Sequence, residues 1–457
     1  MKVKENINKY IFRGYDIRGV VPTDIDVDTA YTIGVGFGSK LYELGKDSCV
    51  VGHDNRLSSP DLHQALIQGL IDTGVNVVDL GISTTPMYYF ACINFKIDSG
   101  IMITASHNPK DENGFKFAFS NYDNAKGKEI EDFYDFIKKG NFHYGEGSIT
   151  RKDVKEDYLS ALTDNLSFGK RKVKVVLDPG NGTTSILLND VFKRVNVDYT
   201  IINGESDGSF PNHHPDPSIE DNLTELKEIV LEKNFDVGLA FDGDGDRVGV
   251  ISNKGMFIPI DYYMIIIIRD IINKVSNKTF LYDVKCSKSL EDEIIKLGGT
   301  PYCYRTGNSY TKARVKELDL AFGGELSGHV YFRDKFLGFD SGIYAGLRLL
   351  EILSNTNETL EELLDGINRY YSTPEMKYKT TDEIKFDVVK KIEDYCKEKG
   401  YTYNNIDGVR VTFDDSWASV RASNTGPNLT ARFEASTEER LEEVKNEFES
   451  LIFKYNK

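Results

Sequence analysis

The chain of 457 residues is long enough for three or four domains with cores of their own, so a single compact unit is not expected. Its formal net charge is -16, with Lys and Arg dispersed rather than gathered into runs, which argues against a nucleic-acid partner and demands a locally basic pocket for any anionic ligand. The five cysteines, Cys49, Cys92, Cys286, Cys303 and Cys396, lie far apart without CxxC or zinc-ligand spacing, and a reducing, cytoplasmic setting is expected from them.

In chain order, MKVKENINKY carries no apolar signal segment, and no membrane association is expected. SCVVGHDNR, SSPDLHQALIQGLIDTG and VNVVDLGI, from Ser48 to Ile82, then read as strand, amphipathic helix and strand. The same pattern returns in VKVVLDPGNG, a helix after Thr184 and VDYTIIN, and again in FLYDVKCS, SLEDEIIKLGG and TPYCYRTG. These are βαβ units of parallel sheets and predict three similar mixed α/β domains. Between the second and third units, YYMIIIIRDII is interrupted by Arg269 and Asp270 well short of a membrane span and reads as a buried helix. Beyond Ser372 come a helix, strand-like alternation through DGVRVTFDDSWASVRASNTGPNLTARFEAS, and a charged helix, which predict a smaller α+β domain. The expected divisions are 1–152, 153–255, 256–371 and 372–457.

Four polar loops carry the chemistry. FDGDGDR follows the buried-strand pattern VGLAF and crowds Asp242, Asp244 and Asp246 together. Such carboxylates repel unless a hard cation binds them. An EF-hand is excluded, since Arg247 stands where its glycine belongs, Asn253 where its bidentate Glu belongs, and a strand precedes the loop. With three carboxylates offered, water or a phosphate oxygen must complete the coordination, as is usual for Mg2+, and Arg247 is suited to grip that phosphate. GIMITASHNPKDENGFKF is a second strand breaking into a loop, centred on Ser106, a serine that needs a base or a metal-polarised electrophile to act as nucleophile. His107, Asn108 and Lys116 are placed to hold the oxygens of a phosphorylated Ser106. AFGGELSGHVYF supplies Glu325, Ser327 and His329, a mixture suited to sugar hydroxyls and to moving a hydroxyl proton. VRASNTGPNLTARFEAS gathers Arg421, Ser423, Asn424, Thr425 and the amide of Gly426, a set suited to a phosphate.

With TASHNP, DGDGDR, GELSGH and RASNTGP in this order over essentially the whole chain, the sequence resembles the α-D-phosphohexomutases, most closely their phosphomannomutase/phosphoglucomutase branch. The resemblance implies four domains around a central cleft, with Ser106 as a phosphoserine and Asp242, Asp244 and Asp246 holding Mg2+ against it. It further implies sugar contacts from Glu325 and Ser327, a grip on the unreacting phosphate from Arg421, Ser423, Asn424 and Thr425, and contact of Arg247 with the phosphoserine. Arg18, Lys116, Lys285 and His329 match positions implicated in binding or proton transfer. The implied reaction moves a phosphoryl group between O1 and O6 of a hexose phosphate through a bisphosphate, with a hexose 1,6-bisphosphate as activator, His329 and Lys116 as candidate bases, a hinged fourth domain and no obligate protein partner. Asn308 stands where this branch commonly carries histidine, and Gly426 where many relatives carry a larger polar residue, which points to tuned affinity. Phosphoglucosamine mutase is the nearest alternative, and a phosphatase with Asp242 as nucleophile a more distant one.

Overall fold

A computed structural model describes residues 1–423 and 426–457, which form four sheets with helices packed against them. The first sheet runs Ile17–Val20, Glu112–Ala118, Gly100–Ile103, Ser48–His53, Asn76–Ile82, Ser148–Arg151. Its last four strands are mutually parallel, and the two at the other edge are antiparallel. The second runs Phe257–Ile258, Val248–Ser252, Val237–Phe241, Val173–Asp178, Val197–Ile201, and the third Thr300–Tyr304, Thr279–Asp283, Phe322–Gly324, Val330–Phe332. Both repeat the plan of a parallel set finished by an antiparallel edge.

That shared plan positions the chemistry. In each of the three domains the polar loop is the hairpin at which the parallel strands give way to the antiparallel edge. The fourth sheet is antiparallel, and its polar loop again joins paired strands, Ser416–Ala422 and Asn428–Ala435. Helices Lys385–Lys399 and Glu438–Tyr455 close its core.

The three βαβ units form as expected, with one difference. The helix after Thr184 is reduced to a 3-10 turn, Thr183–Ile186, and a short helix, Leu188–Phe192. Thr183 N donates to Gly243 O at 2.8 Å and Asn55 N to Thr183 Oγ1 at 3.2 Å, so the first turn is committed to neighbouring loops and only a short stretch is free to coil. YYMIIIIRDII forms the buried helix Ile260–Ile271 with its last residue, Ile272, as the C-cap; this helix packs on helix Gly342–Ser354, which also covers the second sheet, so one apolar core runs through both middle domains. Among the described residues no helix is long and apolar enough to cross a membrane. All five cysteines are free thiols.

Candidate active site

Ser106 follows the buried strand Gly100–Ile103 and adopts φ +52°, a left-handed conformation that costs a residue with a side chain about 1–2 kcal/mol. The surrounding contacts hold it there. Ser106 N donates to Thr104 Oγ1 at 2.8 Å, while Arg18 donates to Ala105 O at 2.9 Å and Asn108 Oδ1 at 2.6 Å. Arg56, 1% exposed, donates to the carbonyls of Ser106 (2.8 Å), Asn108 (2.6 Å), Pro109 (2.6 Å) and Glu112 (3.0 Å). Its Nε lies 3.3 Å from Asp54, and its guanidinium packs over the Phe210 ring of the next domain.

The carboxylates of the second domain come to meet this serine. Ser106 Oγ donates to Asp242 Oδ2 at 2.7 Å, and Asp242 Oδ1 accepts from the amides of Gly245 and Arg247, each at 3.1 Å. The approach is close: a Cβ on Gly243 would stand 2.5 Å from Ser106 O. Asp242, Asp244 and Asp246 are buried with ligand atoms within 4.8 Å of one another, and Asp244 Oδ1 and Asp246 Oδ1 receive no hydrogen bond. Buried, unpaired carboxylate oxygens facing one another fit a hard divalent cation.

Lys116 Nζ reaches Asp244 at 2.8 Å and Asp246 at 2.6 Å. Burial acts to lower its pKa, but the two carboxylates outweigh that and hold it well above the ordinary value. The structure thus places Lys116 as an ion-pair partner of both carboxylates. Burial, reinforced by Asp246 and Asp244, pushes the Asp242 carboxyl upward, whereas Asp244, against its own burial, is held below the usual range by Lys116 and Thr85.

His329 Nε2 accepts from Arg247 Nε at 3.1 Å, and its Nδ1 lies 2.7 Å from Asp340 and 3.4 Å from Asp246. Arg247 is also 3.8 Å from Asp242. His107 Nδ1 stands 3.3 Å from Ser106 Oγ, and burial, with Arg247 and Arg18 nearby, depresses its pKa well below the ordinary value.

Glu325 accepts from Thr311 Oγ1 at 2.5 Å and from Gly307 N at 3.3 Å, and burial raises its carboxyl. Ser327 sits half-buried at the tip of its hairpin loop. Asn308 begins helix Asn308–Glu317 and donates to Asp340 at 3.3 Å. Lys285 lies 3.4 Å from Glu375 and 3.7 Å from Asp283. Arg421 Nε donates to Asp407 at 3.0 Å. Asn424 and Thr425 lie outside the described residues. Lys385 Nζ donates to Ser423 O at 2.8 Å and to Gly426 O at 3.3 Å.

Sequence reasoning missed Arg56, Asp340 and Lys385. Arg56 had a signal, since it ends the polar loop GHDNR behind the first strand of a βαβ unit, where α/β sheets place ligands. The other two stand in no recognisable pattern.

Models of the phosphoglucomutase/phosphomannomutase family match four consecutive segments: alpha/beta/alpha domain I over residues 9–143, domain II over 156–255, domain III over 259–370 and the C-terminal domain over 375–451. The chain belongs to this family. Among its relatives, the phosphomannomutase/phosphoglucomutase of Pseudomonas syringae pv. tomato is 40% identical over 97% of this chain and 95% of its own. The phosphoglucomutase of Neisseria gonorrhoeae is 37% identical over 98% and 97%. A crystal structure of a phosphoglucomutase/phosphomannomutase family protein from Burkholderia thailandensis, 36% identical, has a TM-score of 0.91 and coverage of 98% of both chains. In this chain the polar loops of the first three domains meet through the Ser106–Asp242 and Arg247–His329 contacts.

Proposed function

We propose that this phosphohexomutase interconverts the 1- and 6-phosphates of mannose and glucose through a phosphorylated Ser106. The observation that carries this reading is the 2.7 Å contact from Ser106 Oγ to Asp242, which joins a nucleophile from one domain to a carboxylate triad from another. Family membership over the full chain supports it.

In the forward half-reaction the sugar hydroxyl attacks the phosphorus on Ser106. The P–O bond to Ser106 breaks, a P–O bond to the sugar forms, and the hydroxyl proton passes to His329. The resulting hexose 1,6-bisphosphate turns over in the cleft and returns its other phosphoryl group to Ser106. Arg247 and Lys116 offset charge around the transferring group, and Arg18 and Arg56 keep the serine loop in place. Glu325 and Ser327 would bind sugar hydroxyls, and Lys285 and Asn308 would line the same pocket. Arg421, Ser423, Asn424, Thr425 and Gly426 would hold the unreacting phosphate, closing over the substrate as the fourth domain hinges. Asp242, Asp244, Asp246 and an oxygen on Ser106 would hold Mg2+, which would supply further charge neutralisation. Dephosphorylated protein would require hexose 1,6-bisphosphate for priming.

The test is a coupled assay of mannose 1-phosphate and glucose 1-phosphate with Mg2+ and catalytic glucose 1,6-bisphosphate, on wild type and Ser106→Ala. Turnover that collapses in the variant is expected. Equal turnover by both proteins would refute the phosphoserine route, and turnover of glucosamine phosphate alone would replace the proposed substrates.

A further inference from the structure

Strand Thr279–Asp283 lies inside the third sheet, with Thr300–Tyr304 on one side and Phe322–Gly324 on the other, both parallel to it. Parallel strands bring their carboxyl ends to one edge, so Asp283, the last residue of the middle strand, stands between the loops that leave both neighbours. One of these, RTGN, leads to Asn308, and the other, GELSG, carries Glu325 and Ser327. The loop that follows Asp283 itself carries Lys285. The four residues assigned above to the sugar pocket are therefore borne by three loops around one side chain.

That side chain is fully buried, and each of the three loops donates to it. Asp283 Oδ1 accepts from Lys285 N, Cys286 Sγ and Leu326 N, each at 3.3 Å, and Oδ2 accepts from Thr306 Oγ1 at 3.2 Å. Burial, reinforced by Asp283, pushes the Cys286 thiol well above its ordinary value, so it keeps the proton it donates. Lys285 Nζ supplies a counter-charge 3.7 Å from Oδ2. Burial is costly for a carboxylate, and these partners offset it. A carboxylate accepts on both oxygens at once, whereas an amide in its place would turn an NH2 group toward one set of donors or the other.

We propose that Asp283 is the positioning residue of the sugar pocket: by accepting from three loops at once it fixes the spacing between Lys285, the turn before Asn308 and the Glu325–Ser327 segment, so that a hexose phosphate meets a preformed site. This rests on the mutase reading above. The leverage is direct, since Leu326 stands between Glu325 and Ser327, Thr306 stands two residues before Asn308, and Lys285 is held by its own amide. Preformed contacts that serve ground state and transition state alike act on affinity rather than on the chemical step. Ser106 and the Asp242–Asp246 loop are held by contacts of the first two domains, so loss of Asp283 should fall on sugar binding and leave metal binding intact.

The test is calorimetric binding of glucose 1-phosphate to Ser106→Ala, chosen so that no phosphoryl transfer intervenes, with and without Asp283→Asn. In the double variant Kd should rise about 10–100-fold at unchanged stoichiometry, with Mg2+ affinity within about twofold of the parent. A merely structural role would lower the melt and the number of binding sites while leaving the Kd of the folded fraction alone, and that result would overturn the proposal. Should Asp283→Asn misfold, Thr306→Val removes one donor and keeps the charge; a rise in Kd of about threefold to tenfold is expected, and parental affinity would equally overturn the proposal. Hydrogen exchange reads the loops without a ligand: amides within 284–287, 305–308 and 325–328 should exchange faster in whichever variant folds, and unchanged protection would refute the assignment. If the Ser106→Ala parent binds neither glucose 1-phosphate nor mannose 1-phosphate, the mutase reading fails by itself, while the exchange result still decides whether Asp283 holds the three loops.

Discussion

Replacing Arg56 by Lys isolates what holds the serine loop, because the positive charge beside Asp54 is kept while the planar fork is lost. Arg56 serves four carbonyls between Ser106 and Glu112, at 2.6–3.0 Å, and approaches Asp54 at 3.3 Å. An ammonium has three donors, so two or more of these buried acceptors lose their partner, at about 1–3 kcal/mol each, for a total of about 2–6 kcal/mol. Part of this appears as lost stability, an expected fall of about 10 °C in the first unfolding transition. The rest appears as relaxation of Ser106 from φ +52° toward an unstrained backbone, which moves Oγ from its place 2.7 Å from Asp242. A misplacement of about 1 Å costs on the order of a hundredfold in rate. The assay is twofold: phosphate incorporation into Ser106 from glucose 1,6-bisphosphate, and steady-state kcat on glucose 1-phosphate, beside a thermal melt. Unchanged incorporation and kcat with a normal melt would refute the reasoning, since the loop would then hold its shape without the fork.

Three further outcomes follow from the same geometry. Chelation should abolish turnover reversibly, and Asp244→Asn should weaken Mg2+ binding in calorimetry by more than about tenfold, the loss typical of even outer-shell partners; undiminished affinity would remove Asp244 from the ligand set. Gly243→Ala would set a Cβ 2.5 Å from Ser106 O, driving the two loops apart, and kcat should fall on the order of a hundredfold with little change in the melt; full activity would mean that the close approach is dispensable. Burial raises the Asp79 carboxyl, but His63 at 2.9 Å, Gly81 N at 2.7 Å and Arg151 at 2.9 Å hold it well below the usual range. Its contribution to stability is therefore complete above about pH 4, the unfolded value, and is lost as pH falls through the lower folded one. Asp79→Asn should thus lower the urea midpoint at pH 7 and converge on wild type at strongly acid pH; an equal deficit at both would exclude ionisation as the cause.

The sequence by itself determined the repeated βαβ plan, the four polar loops and the residue types within them, because a strand that ends in a dense polar loop is a local pattern. Asp242, Asp244 and Asp246 are legible as a cation site since like charges so close in sequence are close in any fold. The tertiary structure decided how those charges are balanced. Ser106 and Asp242 meet across 136 positions of chain and Lys116 and Asp246 across 130, so only domain packing could show that the serine and the lysine of the first domain both meet the carboxylates of the second. Arg56 was hidden for the same reason: it acts on the backbone of the Ser106 loop from 50 positions away, and no residue type or spacing announces a partner that folding alone brings near.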